Sequence, residues 1–196
     1  MTSTRLHIAL IIASTRTTRF ADRIVPWVDH QLRSRPEIDL DVVDVRDVAP
    51  PDYDLPAPPA FARREYTSEA ERALGQRIAA ADGFVILTNE FNHGYSAALK
   101  NVLDHYFAEL EHKPVAFVGY GNVGGARAIE QLRQVVAELS MVSVRESVHV
   151  FGIQFPAVRE GGQAAADVFS ALGPRMTAMI DHLLWWARAL TQARRA

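Results

Sequence analysis

The sequence predicts one α/β domain over residues 1–196, with a doubly wound parallel sheet covered by helices on both faces. Three observations point there. Short, nearly continuous apolar runs recur along the chain, and such runs fit strands buried on both sides. Segments with apolar residues at helical spacing separate these runs, which implies right-handed crossovers between parallel strands. The length of 196 residues, 48% hydrophobic and 22% charged, suits a single domain with a sizeable core.

Residues 6–12 (LHIALII) form the first strand. A polar turn at 13–19 follows, then a helix carrying Phe20, Ile24, Trp27, Val28 and Leu32. Residues 40–45 alternate enough to lie nearer a sheet edge. The proline-rich stretch 49–59 reads as an exposed excursion without regular structure. Residues 68–81 are a helix with Leu74, Ile78 and Ala81 on one face, capped by Ser68 with Glu71 completing a capping box. The third strand is 84–88, followed by a polar loop at 89–96 and an amphipathic helix at 97–110. The fourth is 115–118, then a glycine loop at 119–125 and a helix to about Leu139. The fifth is 142–150, with an interruption near Glu146. Residues 154–163 read as a loop, and a last helix over 164–193 breaks near Gly173-Pro174. No internal repeat or linker is visible.

Composition excludes several function classes. Lys+Arg of 21 against Asp+Glu of 23 leaves a formal charge of −2, and no basic block exceeds two residues, so nucleic acid is not an expected partner. The absence of cysteine removes disulfides, thiolate metal sites, iron–sulfur clusters and a cysteine nucleophile, and fits a reducing cytoplasm. No run approaches eighteen apolar residues and the first residues lack a signal-peptide pattern, so no membrane association is expected. Neither a metal-ligand cluster nor a hydrolase triad signature is present, so the expectation is no metal and no catalytic residue supplied by the protein.

In open α/β sheets, ligands sit beyond the carboxyl ends of the strands. Three loops leave the predicted strands there. Ala13-Ser14-Thr15-Arg16-Thr17-Thr18-Arg19 offers hydroxyls, two guanidinium groups and free amides at a helix start, which suits a phosphate monoester. It is neither a Walker loop nor a glycine-rich dinucleotide turn. The same residues also suit a helix cap with solvated neighbours, and spacing alone does not choose. Asn89-Glu90-Phe91-Asn92-His93-Gly94-Tyr95-Ser96 can hydrogen-bond and cover a planar heterocycle, or simply form turns and a cap; a lone loop histidine such as His93 is more often solvated than catalytic. Gly119-Tyr120-Gly121-Asn122-Val123-Gly124-Gly125 carries four glycines, which let main-chain amides face a ligand.

Taken together and in this order, the loops resemble the NADPH-dependent FMN reductase family of the flavodoxin-like fold, which includes quinone, chromate and azo-dye reductases. The family pattern is a Gly-Ser-x-Arg phosphate loop, then Pro-Glu-Tyr-Asn with a segment like His-x-Tyr-x-Ala-Ala-Leu-Lys-Asn-Ala-Leu-Asp, then Gly-x-x-Gly-Gly. This chain reads Ala13-Ser14-Thr15-Arg16, then Asn89-Glu90-Phe91-Asn92, then HGYSAALKNVLD over 93–104, then Gly121-Asn122-Val123-Gly124-Gly125. The resemblance covers about residues 6–145. It departs at Ala13 for Gly, Asn89 for Pro and Phe91 for Tyr.

The resemblance implies a flavodoxin-like three-layer sandwich with five parallel strands in the order 2-1-3-4-5. It implies FMN as cofactor and NAD(P)H as co-substrate, with hydride passing to flavin and then to a quinone, free flavin or similar small acceptor in ping-pong fashion. Ser14, Thr15, Arg16, Thr17, Thr18 and Arg19 would hold the FMN phosphate. Asn89, Glu90, Phe91 and Asn92 would line the isoalloxazine. Gly119, Tyr120, Gly121, Asn122, Val123, Gly124 and Gly125 would approach its pyrimidine edge, their amides stabilising negative charge. A homodimer or homotetramer is also implied, with the 97–110 helix and Trp185-Trp186 as candidate contact surface. Arg63, Arg64 and Arg127 are candidates for the 2′-phosphate of NADPH, against a default of solvated arginines. Two rivals remain: a flavodoxin-like electron carrier, which the charge of −2 argues against, and a non-catalytic member with weak flavin binding, kept open by Ala13 and Asn89.

Overall fold

A computed structural model describes residues 5–48, 50–62 and 64–196. Its sheet has five strands, β1 (Leu6–Ile12), β2 (Ile38–Asp44), β3 (Gly83–Asn89), β4 (Pro114–Gly121) and β5 (Val142–Phe151), in the order β2-β1-β3-β4-β5. All four pairings are parallel, which is the expected flavodoxin-like order. Strand alternation sorts the core into two layers. Ile8, Leu10 and Ile12 point to one face with Val85 and Leu87, packed against α1 (Ala21–Arg33). Ala9 and Ile11 point to the other with Phe84 and Ile86.

The short helices α2 (Val45–Val48) and α3 (Pro59–Ala62) flank the mostly exposed proline-rich stretch, which Asn101 anchors by accepting from the Tyr53 amide and donating to the Pro51 carbonyl. The second face is covered by α4 (Glu69–Ala80), α5 (Ala97–His105) and α6 (Ala126–Glu138). The predicted capping box closes α4: the Glu71 amide donates to Ser68 Oγ, and Glu71 Oε2 accepts from the Ser68 amide.

The structure corrects several boundaries. β2 starts two residues earlier than expected, and Asn89 ends β3 instead of opening a loop. Helix α5 stops at His105, not 110: Tyr106 is extended and turns its ring inward, donating its hydroxyl to the Glu71 carbonyl at 2.9 Å. β5 runs unbroken through Glu146, with a bulge against β4 between Val115 and Phe117 taking up the irregularity. The expected loop at 154–163 is instead a 3₁₀ turn (Gly152–Gln154) and helix α7 (Phe155–Glu160). Pro156 lies at the start of α7, where its missing N–H removes no helical bond. Finally, α8 (Gly162–Arg195) continues through Pro174, because that ring and Ser170, whose carbonyl loses its helical donor, both lie on the solvent side. Helices α7 and α8 complete the first face, with Trp27 of α1 stacked on Phe169 of α8 at 4.9 Å.

The β4–α6 connection needs its glycines for internal packing. Gly124 and Gly125 have φ of 68° and 71°, and a Cβ on Gly125 would stand 2.8 Å from the Tyr120 nitrogen. Gly125→Ala is therefore expected to lower stability by about 1–3 kcal/mol, read as a shift in urea midpoint. Lys113, at the foot of β4, is buried and donates to the Ile78 and Ala79 carbonyls at 3.0 and 2.8 Å. Burial pushes its ammonium down from 10.5 to about 7. Between those values the unfolded chain holds a proton that the folded chain lacks, so this group makes stability rise with pH from about 7 to 10.5. Urea titrations at pH 7 and 9 should show that rise in the native protein and a flatter response in Lys113→Met.

Candidate active site

β1, β3 and β4 end side by side. Ile12 pairs with Leu87 and Leu87 with Val118, so one pleat further the same row reads Ser14, Asn89 and Tyr120. These three form the floor of a cavity of about 600 Å³ at the carboxyl edge of the sheet. Arg16, Thr18, Arg19 and Phe20 wall one side, and Glu90, Phe91, Asn92, His93, Gly121, Asn122 and Arg127 the other. Phe155 and Arg159 close a third side.

The first loop is braced from within. Arg19 is buried, and its guanidinium donates to both Asp44 oxygens at the end of β2, to Asp22 in the first turn of α1, and to the Ser14 carbonyl. The hydrogen bond to Asp44 raises the Arg19 pKa despite its burial. Burial would raise the Asp44 carboxyl, but hydrogen bonds from Arg19 and the Arg46 amide outweigh it and hold that carboxyl below its usual range. Two carboxylates thus neutralise Arg19, and its hydrogen bonds brace the loop. Arg16 is exposed and has no carboxylate partner among the described residues. Thr18 lines the cavity, while Thr15 and Thr17 are exposed and do not.

The second loop hangs on α6. Arg127 donates from Nε to Glu90 Oε1 at 2.6 Å and from its amide to Glu90 Oε2 at 3.2 Å. Its Nη1 lies 2.6 Å from His93 Nε2. Arginine only donates, so His93 accepts at Nε2. Gln131 holds the His93 carbonyl at 2.9 Å. Phe91 and Gly94 exchange both backbone hydrogen bonds, with Asn92 and His93 at φ of 47° and 72°, and this tight turn sets Phe91 at the mouth, 41% exposed. Ser96 caps α5 and donates to the Ala13 carbonyl at 3.0 Å, tying the second loop to the first.

Of the expected third loop, Gly119, Tyr120 and Gly121 instead extend β4; Tyr120, Gly121 and Asn122 line the cavity, whereas Gly119, Val123, Gly124 and Gly125 do not. A Cβ on Gly119 would meet the Gly124 carbonyl at 2.5 Å, so Gly119 serves the turn's own packing. Burial raises the Tyr120 phenol, against a hydrogen bond with Ser14.

One buried group stands out: both polar atoms of the Asn89 side chain lack a hydrogen-bond partner among the described residues, although the residue is 2% exposed. Sequence reasoning missed the third wall. Phe20 and Phe155 pack with ring centroids 4.1 Å apart and tilted by 32°, and the Arg159 guanidinium lies over both rings at 5.4 and 5.9 Å. No local pattern signals a contact between residues this far apart in sequence. Among the arginines considered for a 2′-phosphate, Arg127 is paired with Glu90, Arg64 donates to the Ala108 carbonyl, and Arg63 lies outside the described residues.

The sequence profile of the NADPH-dependent FMN reductase family matches residues 6–155. An NAD(P)H-dependent FMN reductase of Schizosaccharomyces pombe is 38% identical over 134 residues, covering 68% of this chain and 67% of its own. Another, from Nectria, is 32% identical over 169 residues, covering 84% and 80%. A quinone reductase of Escherichia coli is 27% identical over 159 residues, covering 77% and 80%. Among solved structures, a flavoenzyme NAD(P)H:(acceptor) oxidoreductase from Paracoccus denitrificans covers 90% of this chain and 97% of its own, with a TM-score of 0.65 at 17% identity, a likeness of fold. With the profile spanning every strand and all three loops, the chain belongs to the NADPH-dependent FMN reductase family.

Proposed function

We propose that the protein is an FMN-dependent NAD(P)H oxidoreductase that reduces a small acceptor such as a quinone or free flavin. The observation that carries this reading is the convergence of the three loops on one cavity whose two ends differ in chemistry. One end offers Ser14, Arg16 and Thr18 at the amino end of α1, where amides and helix dipole favour an anion. The other offers an aromatic face, Phe91, and the small or polar residues Asn92, Gly121 and Asn122. A phosphate monoester at the first and a flat heterocycle at the second match FMN.

FMN, when bound, supplies the acceptance of hydride from NAD(P)H and its delivery to the second substrate. The chain's own residues bind and orient. Arg16, Ser14 and Thr18 hold the phosphate, with Arg19 shaping the loop. The Glu90–Arg127 pair fixes the turn that carries Phe91 beside the ring. Gly121 lets the end of β4 pack against Glu90, where a Cβ would meet the Glu90 Cβ at 3.1 Å. The exposed mouth admits NAD(P)H and the acceptor in turn, and no protein nucleophile is needed. We further propose a homodimer, with the groove of Tyr53, Pro58, Leu103 and Phe107 beside α5, and the exposed Trp185, as contact surface. Trp186 packs against the core instead. No helix among the described residues is long and apolar enough to cross a membrane; with a cysteine-free chain, a cytoplasmic location is the proposal.

Two measurements test the site. Protein incubated with FMN and desalted should keep a flavin spectrum that bleaches on anaerobic NADPH or NADH. Flavin that stays oxidised with both would instead mark an electron carrier. Arg16→Ala should weaken FMN binding by about 10- to 100-fold, the usual worth of a charge-assisted hydrogen bond, and leave riboflavin binding unchanged.

A further inference from the structure

We propose that the Asn89 carboxamide binds the hydroxylated chain that joins the phosphate of the flavin to its ring. This inference rests on the flavin reading above. Its ground is the pair of orphaned atoms: Asn89 is 2% exposed, lines the cavity, and leaves Nδ2 and Oδ1 without partners among the described residues. Buried polar groups are nearly always satisfied, and an unmet one signals a partner missing from the protein itself.

Position and chemistry identify the partner. Asn89 lies between Ser14 and Tyr120 in one row across three neighbouring strands, facing the same side of the sheet as α1. The phosphate loop lies off one end of that row. Asn122 follows β4 at the other, and Phe91, two residues past Asn89, stands at the mouth. A ligand with its anion at one end and its ring at the other crosses the row with whatever joins them. A phosphate offers only acceptors and would leave Oδ1 unmet. A carboxamide carries two donors and an acceptor with two lone pairs, and a hydroxyl both gives and takes, so neighbouring hydroxyls satisfy both ends of Asn89 at once. The Ser14 and Tyr120 hydroxyls, close to each other near the start of α1, extend the same polar floor. Where the family pattern has proline, no such contact is possible, so it is a property of this chain.

The test compares wild type with Asn89→Leu, which keeps the size and removes both polar atoms. Each is titrated, by quenching of flavin fluorescence, with FMN, with riboflavin (polyol without phosphate) and with lumiflavin (ring alone). The expected result is about tenfold weaker binding of FMN and riboflavin with lumiflavin unchanged, a tenfold change corresponding to about 1.4 kcal/mol. The ligand-free variant should melt at or above the wild-type temperature, since an unmet amide has been replaced by an apolar group. Equal weakening of all three ligands would overturn the inference in favour of a ring contact. Unchanged FMN affinity, or a lower melting temperature without ligand, would overturn it as well while leaving the flavin reading intact. Failure of the wild type to bind any of the three would overturn that reading and the inference with it.

Discussion

Arg19 is the point at which the first strand, the second strand and the first helix are joined. Its guanidinium reaches Asp44 where β2 ends, Asp22 where α1 begins, and the carbonyl of Ser14 where β1 gives way to the loop. A buried ion pair costs desolvation on both partners, and losing one partner strands the other, at a cost of about 3–5 kcal/mol. The chain therefore holds this geometry strictly, and the amino end of α1 opens where Ser14 and Thr18 face the cavity. Arg16 and Arg19 are the same residue type in different surroundings: Arg16 is exposed with no carboxylate partner among the described residues, and Arg19 is buried against two carboxylates.

The other loops are joined to this frame by contacts of the same kind. Ser96 donates across from the start of α5 to Ala13. Glu90 reaches Arg127 on α6, and the Asn122 carbonyl accepts from the Gly152 amide beyond β5. Each bond links a loop to an element that packs on a different strand, so the cavity is preformed by the sheet's register and needs little ordering when a ligand enters. His93 illustrates the cost: its left-handed backbone is a strained conformation for a residue with a side chain, held by Arg127 at the ring and Gln131 at the carbonyl.

The strands were legible because burial on both faces demands unbroken apolar runs, and the α4 cap because Ser68 and Glu71 satisfy each other within three residues. What local pattern could not show was set by distant partners. Pro174 reads as a break, yet its solvent-facing position lets α8 continue. Phe155-Pro156 reads as loop, yet the ring of Phe20 packs, tilted, with its centroid 4.1 Å from that of Phe155, the residue that opens α7. The glycines of 119–125 signalled a special backbone correctly, but each leaves room for a protein neighbour (Gly119 and Gly125 for each other, Gly124 for His149, Gly121 for Glu90), and of the four Gly121 alone also lines the cavity. Nothing in sequence announces that Asp44 is the neighbour of Arg19, so the bracing of the first loop was not legible there.

Asn89 shows the converse, a departure from the family pattern that the fold turns into a polar floor. A proline at the end of β3 would set the backbone and leave nothing to satisfy. An asparagine buries two polar atoms, and each unmet one weighs on the ligand-free protein. A ligand that satisfies them removes that penalty only from the bound state, so it stabilises the fold by mass action beyond what its other contacts provide. Stability and occupancy are thereby coupled at one residue: the site is braced by Arg19 when empty, and its floor is completed by what it binds.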